Sequence, residues 1–64
     1  MTVGERLIAA RTQAELSPVA VCSKCGISAE ALRGYETGKR LPRDSVKAAL
    51  ADLYQIPIQQ LFFW

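Results

Sequence analysis

Between Leu16 and Pro42 the chain reads LSPVAVCSKCGISAEALRGYETGKRLP, and the punctuation of this stretch leaves it few ways to fold. Ser17-Pro18 is a helix start. A serine side chain caps the first free amides, and proline at the first helical position gives up an amide that lacks a helical partner anyway. Gly26 is a stop, because glycine takes the left-handed backbone that closes a helix without strain. Ile27-Ser28 repeats the sequence of an apolar residue followed by a cap, and Gly38 repeats the stop. Two short helices, Pro18 to Cys25 and Ala29 to about Thr37, are therefore predicted across a glycine turn. Such a pair is a helix-turn-helix, a unit that can set its second helix in the DNA major groove.

The flanks read as helices too. Thr2-Val3-Gly4-Glu5 fits a capping box, with the threonine oxygen on the Glu5 amide and the Glu5 carboxylate reaching back. The helix it opens runs to about Ala14 and carries Val3, Leu7, Ile8 and Arg11 on one face. Arg43 or Asp44 begins a fourth helix, in which Val46, Ala49, Leu50, Leu53 and Tyr54 keep amphipathic spacing. Ile56-Pro57 breaks it, and a last turn or two runs from Ile58 to Phe62. No segment alternates as a strand does. Half of the 64 residues are apolar, enough for one core. The expected architecture is all-α: a compact five-helix bundle in one domain, 1–64, with the helix-turn-helix at about 17–37 and an apolar tail at 58–64.

Within the helix-turn-helix, Val21, Cys22 and Cys25 form the inward face of its first helix, while Val19 and Ala20 lie nearer solvent. In the second helix Leu32, Tyr35 and Glu36 share one face and Ala29, Glu30, Arg33 and Gly34 the other. A glycine at 34 costs a helix about 1 kcal/mol against alanine, which points to a close approach there.

Several function classes drop out. The chain contains no apolar run of the ~20 residues that a membrane span needs, and no leader resembling a signal peptide, so a cytoplasmic protein with reduced thiols is expected. Cys22-x-x-Cys25 lacks the further ligands zinc requires, since there is no histidine and no third cysteine. Both thiols are read as core residues, and no metal or cofactor is expected. No set of residues suited to catalysis is visible, so an enzyme is not expected. The net charge of +2 is mild, but five of the eight cations, Arg33, Lys39, Arg40, Arg43 and Lys47, fall in one short stretch around the second helix of the pair.

In order and spacing, GERLIAAR, LS, CGIS, YETGKRLP and the closing QQLF resemble the phage-repressor type of helix-turn-helix domain, the lambda-repressor/Cro-like (XRE) family. The likeness extends from Gly4 to Phe62. It implies that the third helix is the recognition helix, with Ser28, Ala29, Glu30, Arg33 and Gly34 at base-facing or groove-facing positions. It implies phosphate contacts from Ser17, Lys39, Arg40 and Arg43, and a buried pair between Arg11 and Glu36. Arg11 also interrupts an apolar stripe, where a bidentate carboxylate partner would satisfy it. The sequence departs from the family's pattern at Pro18, usually glutamine, at Val19 and Ala20, usually polar, and at Ala29 and Gly34, which have no hydrogen-bonding side chain.

Two functions follow. One is a small DNA-binding transcriptional regulator acting as a homodimer on an operator-type duplex, with helix 29–37 in the major groove. The other is a repressor-like fold turned into a protein-interaction module, an anti-repressor or antiactivator with little DNA binding, suggested by the apolar departures. In either case Ile56, Ile58, Phe62, Phe63 and Trp64 are candidates for a dimer or partner interface, because so small a domain cannot easily bury all its terminal aromatics.

Overall fold

The computed structural model describes residues 1–63, and these form α1 (Val3–Gln13), α2 (Pro18–Cys25), α3 (Ala29–Thr37), α4 (Asp44–Tyr54) and α5 (Ile58–Phe62), with no strand among them. The helix starts follow the caps. Thr2 and Glu5 form a complete capping box, and the Ser17 and Ser28 hydroxyl oxygens accept from the amides of Ala20 and Ala31. The Thr2 amide, bonded to the Glu5 carboxylate, holds that carboxyl below its usual pKa.

The helix ends share one device. Each of the four long helices passes through a left-handed residue: Glu15, Gly26, Gly38 and Gln55. The next amide then donates to a carbonyl five residues back: Leu16 to Arg11, Ile27 to Cys22, Lys39 to Gly34 and Ile56 to Ala51. This is the bond of the Schellman motif, which an apolar residue commonly accompanies. Leu16, Ile27 and Ile56 supply that residue and pack against the core. At the end of α3 the same position is Lys39, which is exposed.

The core draws on all five helices. Leu7, Val21, Leu32, Leu50 and Leu61 are its most enclosed members, with Tyr35, Tyr54 and Phe62 around them. α1 packs on α3 and α5, α2 on α3 and α4, and α4 on α5. One inward assignment changes. Ile8 is exposed, and the buried side of α1 is Gly4, Leu7 and Ala10 instead. The reason lies at Gly4: a Cβ there would collide with the backbone carbonyl of Glu36, so α1 approaches the α3 backbone closely at this point. Cys22 and Cys25 are half-buried thiols against the core, and burial, then the neighbouring Cys22, push the Cys25 pKa up.

Candidate nucleic-acid interface

α3 is fixed from its inner side. Arg11 Nε donates to Glu36 Oε2 at 2.9 Å and Arg11 Nη2 to Glu36 Oε1 at 3.4 Å. The two side chains retain only 19% and 11% of their exposure. The hydrogen bond to Glu36 holds the Arg11 guanidinium still more firmly protonated. Tyr54 lies close enough to feel both charges. Its hydroxyl is buried with no hydrogen-bond partner among the described residues, and burial, reinforced by Glu36, pushes its pKa up to about 12. Glu36 therefore faces the bundle with its charge neutralised, and the outer face is left to other residues.

That outer face carries Ala29, Glu30 and Arg33, all exposed. Ser28 stands at its N-terminal end as the cap, its oxygen occupied by the Ala31 amide but its hydroxyl hydrogen able to donate. Ser17 is in the same position at the start of α2, where Pro18 supplies no amide. Lys39, Arg40 and Arg43 are exposed along the segment from α3 into α4, and Pro42 among them is buried. Arg43 is the N-cap residue of α4 but makes no side-chain capping bond.

Gly34, on the same side of α3, is buried, and what covers it is Arg40. An added Cβ would come within 2.8 Å of Arg40 Cδ. The close approach suspected from the sequence is thus made within the chain. Arg40, Gly34, Glu30, Arg33, Thr37 and Lys39 line an open groove of about 310 Å³ beside the helix. Lys47 leaves the basic group. Its Nζ stands 4.8 Å from the Phe63 ring centroid and 5.7 Å from that of Phe62, and 4.0 Å from the Asp44 carboxylate. Its spacing from Arg43 along the chain did not reveal that the aromatic tail lies beneath it. Two large apolar side chains remain open near the basic segment in sequence or in the helix pair: Leu41 at 80% exposure and Val19 at 78%.

The tail residues divide. Phe62 is buried in the core and is not available as an interface residue. Ile56 is half-buried as the apolar residue that closes α4. Ile58 and Phe63 are exposed, and Ile56 and Ile58 border an open groove of about 460 Å³ with Ala48, Ala51 and Asp52. Trp64 lies outside the described residues. Arg6 Nη1 donates to the Gln60 carbonyl at 2.7 Å, a tie between α1 and α5 that no sequence pattern signalled. Among the described residues no cluster of histidine, cysteine, aspartate or glutamate is placed to hold a metal ion, and no helix is long and apolar enough to cross a membrane.

Comparison with known proteins agrees with this geometry. A family model described as a helix-turn-helix domain matches residues 2–61. No curated protein and no solved structure gives a significant match.

Proposed function

The chain belongs to the helix-turn-helix domain family, within its lambda-repressor/Cro-like class, and we propose that it acts as a small transcriptional regulator that binds duplex DNA as a homodimer in the cytoplasm. α3 enters the major groove, Glu30 and Arg33 meet base edges, and Ser17, Lys39, Arg40 and Arg43 meet the backbone on either side. The observation that carries this reading is the distribution of charge around the end of α3. Its one inward carboxylate, Glu36, is neutralised by Arg11, while the residues that leave the helix are exposed cations. The exposed Ile58 and Phe63, with the groove at Ile56, supply an apolar surface for a second copy, and a twofold pair sets two α3 helices one DNA turn apart. The role is binding rather than catalysis, with no cofactor.

The test is a mobility-shift titration with the DNA upstream of the gene encoding the chain, repeated at rising salt. Three cationic phosphate contacts per half-site, from Lys39, Arg40 and Arg43, give about six in a dimer, for which affinity falls roughly a thousandfold between 50 and 200 mM salt. A protein that shifts no duplex at low salt is instead an interaction module. The largely exposed Val19 and Leu41 favour that second reading, because apolar side chains there suit a protein surface better than a phosphate backbone.

A further inference from the structure

The outward side of α3 has a gap in it, and a residue from outside the helix fills the gap. Gly34 lies one turn after Glu30 and one turn before Thr37, in the middle of the surface turned to the groove. Arg40 occupies the space a side chain would take: its Cδ, Cγ and Cβ stand 2.8, 3.0 and 3.3 Å from where a Cβ of residue 34 would be. Backbone and side chain together fix it there. The Arg40 amide donates to the Gly34 carbonyl at 3.1 Å, next to the Lys39 amide on the same oxygen at 3.0 Å. The guanidinium carbon stands 5.8 Å from the ring centroid of buried Tyr35, within the range of a cation–π contact. The residue as a whole stays exposed.

We propose that Arg40 is a specificity-determining residue that reads a base from the place of the absent residue-34 side chain, and that Gly34 is its positioning residue. The assignment rests on the DNA-binding reading above and alters it at one point, moving Arg40 from the phosphate contacts to the base contacts. A guanidinium presents a rigid fork that matches the O6 and N7 acceptors of guanine, and a stem already laid on the helix has less freedom to lose on binding. A phosphate clamp needs only a positive charge, which lysine also carries. A bidentate base contact needs the fork.

The intact protein is first used to select its preferred duplex from a random-sequence pool. Arg40→Lys, Gly34→Ala, Arg40→Ala and the Gly34→Ala/Arg40→Ala double variant are then titrated against that duplex and its single-base-pair variants. Gly34→Ala should fold, because the atoms in its way belong to a flexible side chain and alanine favours a helix; circular dichroism checks this. Arg40→Lys should erase discrimination of roughly 5- to 150-fold at one base pair per half-site. Gly34→Ala should relax preference at that same base pair and do nothing further once Arg40 is gone. Full preference in Arg40→Lys, or additive effects of Gly34→Ala and Arg40→Ala, overturns the assignment and leaves the DNA-binding reading standing. Should the intact protein retain no duplex from the pool, both fall together. Thermal midpoints of the four DNA-free proteins test the positioning separately: Gly34→Ala should raise the midpoint more in the Arg40→Ala background than in the native one, and an equal change in both overturns it.

Discussion

Gly26 and Gly38 close α2 and α3 with the same left-handed residue and the same bond from the next amide to a carbonyl five residues back. The residue that follows is Ile27 in one and Lys39 in the other. Ile27 packs against the core and turns α2 sharply into α3. Lys39 is exposed, and the chain runs on along the outside of the bundle through Arg40 and Leu41 before Pro42 is buried again. Leu16 and Ile56 follow the pattern of Ile27, so the end of α3 is the exception among four. The lesson is that the backbone of a turn does not decide whether it serves the core or the surface. One side chain after the glycine does.

The comparison breaks most sharply on the inner side. Glu36→Ala leaves the Arg11 guanidinium half-buried without its carboxylate, and unfolding in urea should show a loss of about 2–3 kcal/mol, below the ~3–5 of a fully enclosed pair because Arg11 keeps some water. Arg11→Met with Glu36→Leu should restore most of it; no change in Glu36→Ala would remove the pair from the account of stability. Ile27→Lys makes the inner turn resemble the outer one and should cost about 2 kcal/mol through lost packing and a cation facing the core.

The same inner region has a pH limit. Tyr54 ionises at about 10 when unfolded and at about 12 in the fold, so the stability it contributes is complete below pH 10 and is lost as pH rises to about 12. Thermal scans across that window should show the decline in the native chain and a weaker one in Tyr54→Phe. Gly26→Ala and Gly38→Ala make the next comparison. Neither added methyl meets another atom, but both force alanine into a left-handed backbone, at about 1 kcal/mol each. Equal losses of stability are expected, with DNA affinity reduced further only by Gly38→Ala, which unsettles Lys39 and Arg40. Lys39→Ile, which gives α3 the ending of its neighbours, should move stability by under about 0.5 kcal/mol. Its effect should appear in the salt dependence of binding, where each lost phosphate contact lowers the slope by about 0.9.

Much of this was legible in order along the chain. Thr2, Ser17, Ser28, Gly26 and Gly38 act on residues three to five positions away, so their consequences can be read locally, and the family likeness is carried by their spacing. Of what crossed between elements, the Arg11–Glu36 pair was legible through the family likeness and most of the rest was not. Ile8 sits at the edge of an apolar stripe whose centre holds Gly4 and Ala10, residues too small to register as apolar but small enough to bring α1 against α3. Gly34 stood out as an anomaly in a helix, yet only the return of the loop identifies Arg40 as its neighbour. Lys47 looked like one more cation of the basic segment, and Phe62 and Phe63, far along the chain, determine where it points. Glu15 and Gln55 carry no glycine signal at all, and the apolar residues after them supply the closure.

The hydrogen bond from Arg6 to the Gln60 carbonyl spans 54 positions and joins the two ends of the chain. In folding terms it is a long-range contact, and its closure entropy must be met before it returns anything. α2 and α3 pack on each other, on α1 and on α4 across shorter stretches of chain and can assemble before that closure. α5, only five residues long and without a side-chain cap, is held by this bond and by its packing on α1 and α4. The last helix is therefore the part of the bundle expected to detach first under thermal fluctuation, uncovering Leu61 and Phe62 while α2 and α3 remain assembled.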